Sequence, residues 1–216
     1  MKPLSDCRLY TFVDFSYLRD RSPQTVAQQL CDGGSDLIQL RAKNLSSDEV
    51  CRVAEILLPI TEQARVGLVI NDHLEVALRI GAPVSHLGQE DLQCLGRDQI
   101  AEILPAGATL RIGLSTHNPV QARAAVMAGA DYIAVGPVYA TPTKPAAVPV
   151  TLDYVSWAAA NINLPWFAIG GINQENLDAV LAAGARRICV VSAILNAPDL
   201  PQACLHFKNR LSSVPL

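Results

Sequence analysis

The fold class predicted by this sequence is α/β, a single-domain (β/α)8 TIM barrel spanning residues 1–216, and three observations predict it. Eight short apolar runs each stop abruptly at a polar residue or a glycine. Segments with helical spacing separate the runs. Four of those segments end in a glycine signature that leads into the next run: Gly33-Gly34-Ser35-Asp36, Gly81-Ala82, Gly129-Ala130-Asp131 and Gly184-Ala185-Arg186. Glycine there permits the left-handed cap that ends a helix and turns the chain. Its recurrence is a weak internal repeat of one strand-then-helix unit. An open doubly wound sheet is the competing architecture, but eight successive units with no second domain favour closure.

The runs, in order, begin with Leu9–Asp14. They continue with Leu37–Lys43, Leu68–Asp72 and His86–Asp91. Gly113–His117 comes fifth, Ala134–Pro137 sixth, and Ala168–Gly171 and Cys189–Ser192 complete the set. Helices are expected over 23–31 and 46–64, the second opened by Ser46 as cap with Asp48 and Glu49 in its acidic first turn. Further helices are expected over 73–80, 97–104 and 119–127, the last with Asn118 as cap and Pro119 at the first helical position. Segments 152–161, 174–183 and 200–211 finish the alternation. The one long irregular stretch, 137–150, holds prolines at 137, 142, 145 and 149 and reads as a loop over the site.

Half of the residues are hydrophobic and 17 % are charged, which suits a compact core with many buried strands. A chain of 216 residues buries about 70 % of its unfolded surface, so the core needs no covalent staples. The net charge of −3 argues against a broad nucleic-acid surface. The six cysteines are scattered with no Cys-x-x-Cys pair, no apolar stretch reaches 18 residues, and the N-terminus lacks a signal-like apolar segment. A cytoplasmic protein without membrane contact is the expectation. Association of identical chains stays open.

In parallel α/β folds chemistry gathers at the carboxyl ends of the strands, where the runs stop. Asp72 ends the third strand and Asp91 lies just past the fourth, so two carboxylates converge on one mouth. Without a histidine pair or cysteines nearby they suit a hard ion such as Mg²⁺ better than zinc. The plainer reading makes Asp72 a helix cap and Asp91 a solvated loop acid. The cations tip the balance: Arg41 and Lys43 alternate at the end of the second strand, and Lys144 lies in the loop after the sixth. At about 4 Å and an effective dielectric of ~20, each charge pair is worth roughly 4 kcal/mol. Three such cations with a metal suit a diphosphate. Gly170-Gly171 and Val191-Ser192 follow strands seven and eight, where barrels frequently bind a phosphate. Gln39, Ser115, Thr141 and Thr143 supply amide and hydroxyl groups, and His86 reads as an orienting or ligand-contacting residue. Ser115-Thr116-His117 is not a nucleophilic triad, because no acid partner is evident.

Taken together these segments resemble the thiamine phosphate synthase family over nearly the whole chain. The resemblance rests on Gln39-Leu-Arg41-Ala-Lys43, Asn71-Asp72, His86-Leu-Gly-Gln-Glu-Asp91, Gly113-Leu-Ser115-Thr-His117, Thr141-Pro-Thr143-Lys144, Ile169-Gly-Gly-Ile172 and Val190-Val-Ser192. Each piece is short, but seven in the right order are specific. The resemblance implies a transferase of thiamine biosynthesis that joins hydroxymethylpyrimidine diphosphate to a thiazole ethyl phosphate and releases pyrophosphate. It places Mg²⁺ on Asp72 and Asp91, and the diphosphate on Arg41, Lys43, Asn71, Ser115 and Lys144. Of these, Arg41, Lys43, Ser115 and Lys144 would be catalytic. Pyrimidine contacts fall on Gln39 and His86, and the thiazole phosphate on Thr141, Thr143, Gly171, Val191 and Ser192. Three departures stand out: Pro83-Val84-Ser85 before the fourth strand's histidine, Thr151 where a glycine is usual, and Arg186-Arg187 ahead of strand eight. The first and third are expected at the barrel's far end, the second beside the loop. Rival readings are a tautomerase-like relative, a phosphate-ligand sensor, and a sugar-phosphate epimerase or aldolase.

Overall fold

The computed structural model describes residues 1–89, 91, 99–143 and 147–215. Eight strands close into a barrel in chain order: β1 (Leu9–Asp14), β2 (Leu37–Arg41), β3 (Gly67–Asn71), β4 (Val84–Leu87), β5 (Arg111–Thr116), β6 (Tyr132–Val135), β7 (Trp166–Ile169) and β8 (Ile188–Cys189). Every neighbouring pair is parallel, and β8 pairs with β1 through Leu9–Ile188 and Tyr10–Cys189. Helices α1 (Pro23–Asp32), α2 (Ser47–Gln63), α3 (Leu74–Ile80), α4 (Pro119–Met127), α5 (Thr151–Asn161), α6 (Leu177–Ala182), α7 (Ser192–Leu195) and α8 (Leu200–Ser212) supply the crossovers and the C-terminal cover.

The strands are buried and mostly apolar because both faces are covered, with polar residues such as Asp14, Arg41 and Asn71 at their carboxyl ends. Local signals fix the helix starts. Ser46 accepts from the Glu49 N–H while the Glu49 carboxylate accepts from the Ser46 N–H, a reciprocal cap that opens α2. Asn118 caps α4 through the Gln121 N–H, with Pro119 in the first turn. At the four glycine signatures Gly34, Gly81, Gly129 and Gly184 all hold positive φ, as a left-handed helix stop requires. Helix α6 begins at Leu177, three residues later than its sequence pattern suggests, because Asn173 and Asn176 build a turn in which each side-chain oxygen accepts a nearby backbone N–H. The helix expected over 97–104 lies partly outside the described residues, and its described part is a short 3-10 turn, Ile100–Glu102.

The amino-terminal rim of the barrel is a structural lock. Asp36, immediately before β2, accepts from the Arg8 and Leu9 backbone N–H groups and binds Lys2 at 2.6 Å and Lys208 of α8. Arg186 and Arg187 bond backbone carbonyls at this same end, away from the mouth. Among the described residues no helix is long and apolar enough to cross a membrane.

Candidate functional site

Strand register decides which side chains enter the barrel. Phe12 lies level with Gln39, Asp14 with Arg41, Asn71 with His86, His86 with Gly113, Gly113 with Tyr132, and Ser115 with Ala134. Because side chains alternate along a strand, these rows share the inner face. Their carboxyl-terminal members open into two adjoining cavities.

The first cavity has an apolar floor that includes Phe12, Ala134, Ile169 and Cys189, and a rim where the hydroxyls of Thr141, Thr143 and Ser192 stand among Gly170, Gly171 and Val191. Gly171 holds φ +65, and a Cβ there would come within 2.6 Å of the Ala140 carbonyl oxygen, so glycine is required for the chain to pass so close. The Ser192 and Ala193 N–H groups start α7, where a helix has no internal acceptors for them. Tyr17 braces the other side of the rim, its hydroxyl 3.1 Å from Thr143 Oγ1.

The second cavity is polar. Lys43, Asp72, Gly88, Gln89, Asp91 and Gln121 line it. Arg41, Asn71, His86, Ser115 and His117 line both cavities and form the wall between them. Asp72 stands at the turn after β3 with φ +64, a left-handed conformation that aspartate tolerates better than most side chains. Its N–H bonds the His86 carbonyl, which ties that turn to β4. Asp91 Oδ2 accepts from the Gly88 N–H at 2.7 Å. No group of three or more histidine, cysteine or acidic side chains able to hold a metal occurs among the described residues. Two carboxylates on one polar cavity fit a hard divalent ion that takes its remaining oxygens from water and ligand.

Sequence reasoning groups Arg41 with the cations of the mouth and gives no sign of its partner. Asp14, 1 % exposed at the end of β1, bonds Arg41 Nη1 at 2.7 Å. Asp14 also caps the Ser16 N–H, so the carboxylate is fixed from two directions. Arg41 therefore lines the cavities as one half of a buried ion pair. Lys43 is exposed at the mouth, as its alternation with Arg41 suggests. Lys144 lies outside the described residues.

His86 and Ser115 are also better connected than their motifs indicate. His86 Nε2 lies 2.9 Å from Ser115 Oγ, and His86 Nδ1 lies 3.0 Å from the Tyr132 hydroxyl. Tyr132 is 3.2 Å from the Tyr10 hydroxyl, which accepts from Gln39 Nε2 at 2.6 Å. The Tyr132 phenol faces His86 Nδ1, and His117 turns its Nδ1 to the Gly136 carbonyl and not to Ser115. Tyr10 and Tyr132 were missed because tyrosines inside apolar runs read as core. Their phase was the available signal, since Tyr132 sits in the same inward row as His86 and Gly113.

Fold and site together define a (β/α)8-barrel enzyme whose working face is the carboxyl end of the strands. Residues 9–194 match the family model described as thiamine monophosphate synthase. The chain is 41 % identical over 197 residues to a thiamine-phosphate synthase of Lawsonia intracellularis, covering 91 % of this chain and 88 % of the relative. It is 43 % identical over 196 residues to a thiamine-phosphate synthase of Thermus thermophilus, covering 90 % and 89 % respectively. A solved thiamine phosphate pyrophosphorylase from Pyrococcus furiosus superimposes with a TM-score of 0.84 at 27 % identity, over 97 % of this chain and 98 % of that one. The chain belongs to the thiamine monophosphate synthase family and is an enzyme of the transferase class.

Proposed function

We propose that this enzyme makes thiamine phosphate by displacing pyrophosphate from hydroxymethylpyrimidine diphosphate with the ring nitrogen of a thiazole ethyl phosphate. The observation that carries the reading is the shared wall: Arg41, Asn71, His86 and Ser115 face an apolar-floored cavity on one side and a charged cavity on the other. A substrate with a flat ring and a diphosphate would straddle that wall, its breaking carbon–oxygen bond beside those four residues. The ring would lie over the apolar floor, with Gln39 at its polar edge and the His86 imidazole in van der Waals contact beside it. The leaving anion would lie against Lys43, Asn71, Ser115 and, from the loop, Lys144. The thiazole phosphate would take the rim at Thr141, Thr143, Gly171, Val191 and Ser192, where backbone N–H groups and hydroxyls converge.

The thiazole nitrogen brings its own lone pair, so the step needs no general base. Departure of pyrophosphate leaves a ring-stabilised cation, which makes a dissociative path the natural one. The protein then has three tasks: hold two anions apart, disperse charge on the one that leaves, and keep water from the cation. Mg²⁺ held by Asp72 and Asp91 would supply further charge neutralisation at the diphosphate oxygens. Asp14 already balances Arg41, and Asp72 and Asp91 would balance the metal in the same way, so the net positive charge near the anion would come from Lys43 and Lys144, with Arg41 offering hydrogen bonds.

Pyrophosphate release measured with each substrate alone and with both together, with and without EDTA, tests the reading. Release is expected only with both substrates and is expected to stop in excess EDTA. Equal release in EDTA would remove the metal, and none with both substrates would remove the reaction.

A further inference from the structure

Five polar side chains cross the interior of the barrel in an unbroken line: Gln39 on β2, Tyr10 on β1, Tyr132 on β6, His86 on β4 and Ser115 on β5. We infer that this line is a one-way hydrogen-bond relay, in which Tyr10 and Tyr132 act as positioning residues that force the Ser115 hydroxyl to present its proton to the leaving anion. The inference rests on the reaction proposed above and extends it to two tyrosines, of which Tyr10 lines the apolar-floored cavity and Tyr132 lines neither cavity.

The direction follows from counting protons. Gln39 Nε2 is a donor only, so Tyr10 Oη accepts from it. Tyr10 is 1 % exposed, and a phenol proton buried that deeply needs an acceptor. Gln39 Nε2 cannot serve, so the proton goes to Tyr132 Oη. Tyr132 is fully buried, and its own proton is left with His86 Nδ1. A neutral His86 that accepts at Nδ1 carries its hydrogen on Nε2 and donates it to Ser115 Oγ. The serine oxygen is thereby used as an acceptor, and its own hydrogen is free to point into the wall between the cavities. Had the line run the other way, Ser115 would turn a lone pair toward the anion and repel it.

Two structural facts show that the line is built and not incidental. A Cβ on Gly113 would lie 2.0 Å from Tyr132 Cζ, so glycine in the middle of β5 is what lets the Tyr132 ring pass over that strand toward His86. Burial above all raises both phenols well beyond the ordinary tyrosine range, so each hydroxyl keeps the proton that the relay requires. Gln39 commits its amide nitrogen to Tyr10, which leaves the amide oxygen for a donor on the bound ring. A ring seated there locks the amide, and with it the polarity of every bond to Ser115.

The test uses the whole enzyme with Tyr132→Phe and Tyr10→Phe, each alone and in a Ser115→Ala background, together with nitrogen NMR of the His86 ring. In the unsubstituted protein His86 is expected as the Nε2–H tautomer, and Tyr132→Phe is expected to give a mixture. Loss of one such bond predicts a kcat about tenfold lower in Tyr132→Phe. Tyr10→Phe, which leaves the Tyr132–His86 link intact, should cost about threefold, and the KM for the thiazole phosphate should stay unchanged in both. With Ser115→Ala in place, removing the Tyr132 hydroxyl should change kcat by less than about twofold. A wild-type His86 carrying its proton on Nδ1, or losses that multiply in the double variant, would overturn the relay. The tautomer measurement needs neither turnover nor a stable variant, so an inactive wild-type protein would count against the reaction and not against the relay.

Discussion

Asp14 and Arg41 show how a single unforeseen partner changes the meaning of a motif residue. An arginine at a strand end was legible as an anion grip, whereas its buried carboxylate lies 27 positions away in sequence and is brought level only by the β1–β2 register. Removing one partner of a buried pair leaves an uncompensated charge, so Asp14→Ala should cost about 3 kcal/mol in urea unfolding. It should also lower kcat by letting the guanidinium swing. Unchanged stability would mean the pair is solvated. Lys43 is exposed, and Lys43→Ala should move stability by less than about 0.5 kcal/mol while raising the KM for the diphosphate substrate. For Asp72 the φ of +64 makes Asn the cleaner replacement, because alanine adds backbone strain of about 1 kcal/mol. Asp72→Asn should keep the wild-type melting temperature and lose Mg²⁺-dependent turnover. A large fall in melting temperature would make the aspartate structural instead.

The elements were the most legible level, for a physical reason. Strand ends are marked by an abrupt change in polarity and helix ends by capping residues, and both are local properties of the chain. Ser46, Asn118 and the four glycines each act within a few residues of where they stand. Less legible was whatever depends on register across strands, including the tyrosine row and the cavity wall. Thr151 joins the two levels. The resemblance leads one to expect glycine at this position, and φ at Thr151 is +62, a conformation that suits glycine and burdens a β-branched residue. Its hydroxyl still caps the Asp153 N–H at 3.4 Å. Thr151→Asn keeps an acceptor and relieves the backbone, so it should stabilise the enzyme by about 1 kcal/mol in thermal or urea unfolding. A destabilised Asn variant would show that the threonine is held by contacts beyond its own turn.

Across the whole molecule the barrel separates its duties by end. The candidate site residues lie at the carboxyl rim, and the amino rim closes the chain on itself through Asp36, which joins Lys2, β1 and α8. Burial alone would raise the Asp36 carboxyl, but bonds from Lys2, Lys208 and the Leu9 and Arg8 N–H groups outweigh it and hold the group below its ordinary 3.8. A depressed folded-state pKa means stability that is present above the unfolded value and is lost as pH falls through the folded one. The melting temperature should therefore drop steeply below about pH 4, and Asp36→Asn should flatten that dependence. An equally steep acid limb in the variant would assign it to other carboxylates.

The same division makes one claim central: a shared wall with the leaving anion on its charged side and the second phosphate at the opposite rim. A crystal structure of the enzyme with pyrophosphate, Mg²⁺ and thiazole ethyl phosphate tests it directly. Pyrophosphate is expected beside Lys43, Asp72 and Asp91, with the thiazole phosphate against Gly171 and Ser192 and Ser115 Oγ between them. Both anions in one cavity, or pyrophosphate at the glycine rim with no metal on either aspartate, would contradict that arrangement.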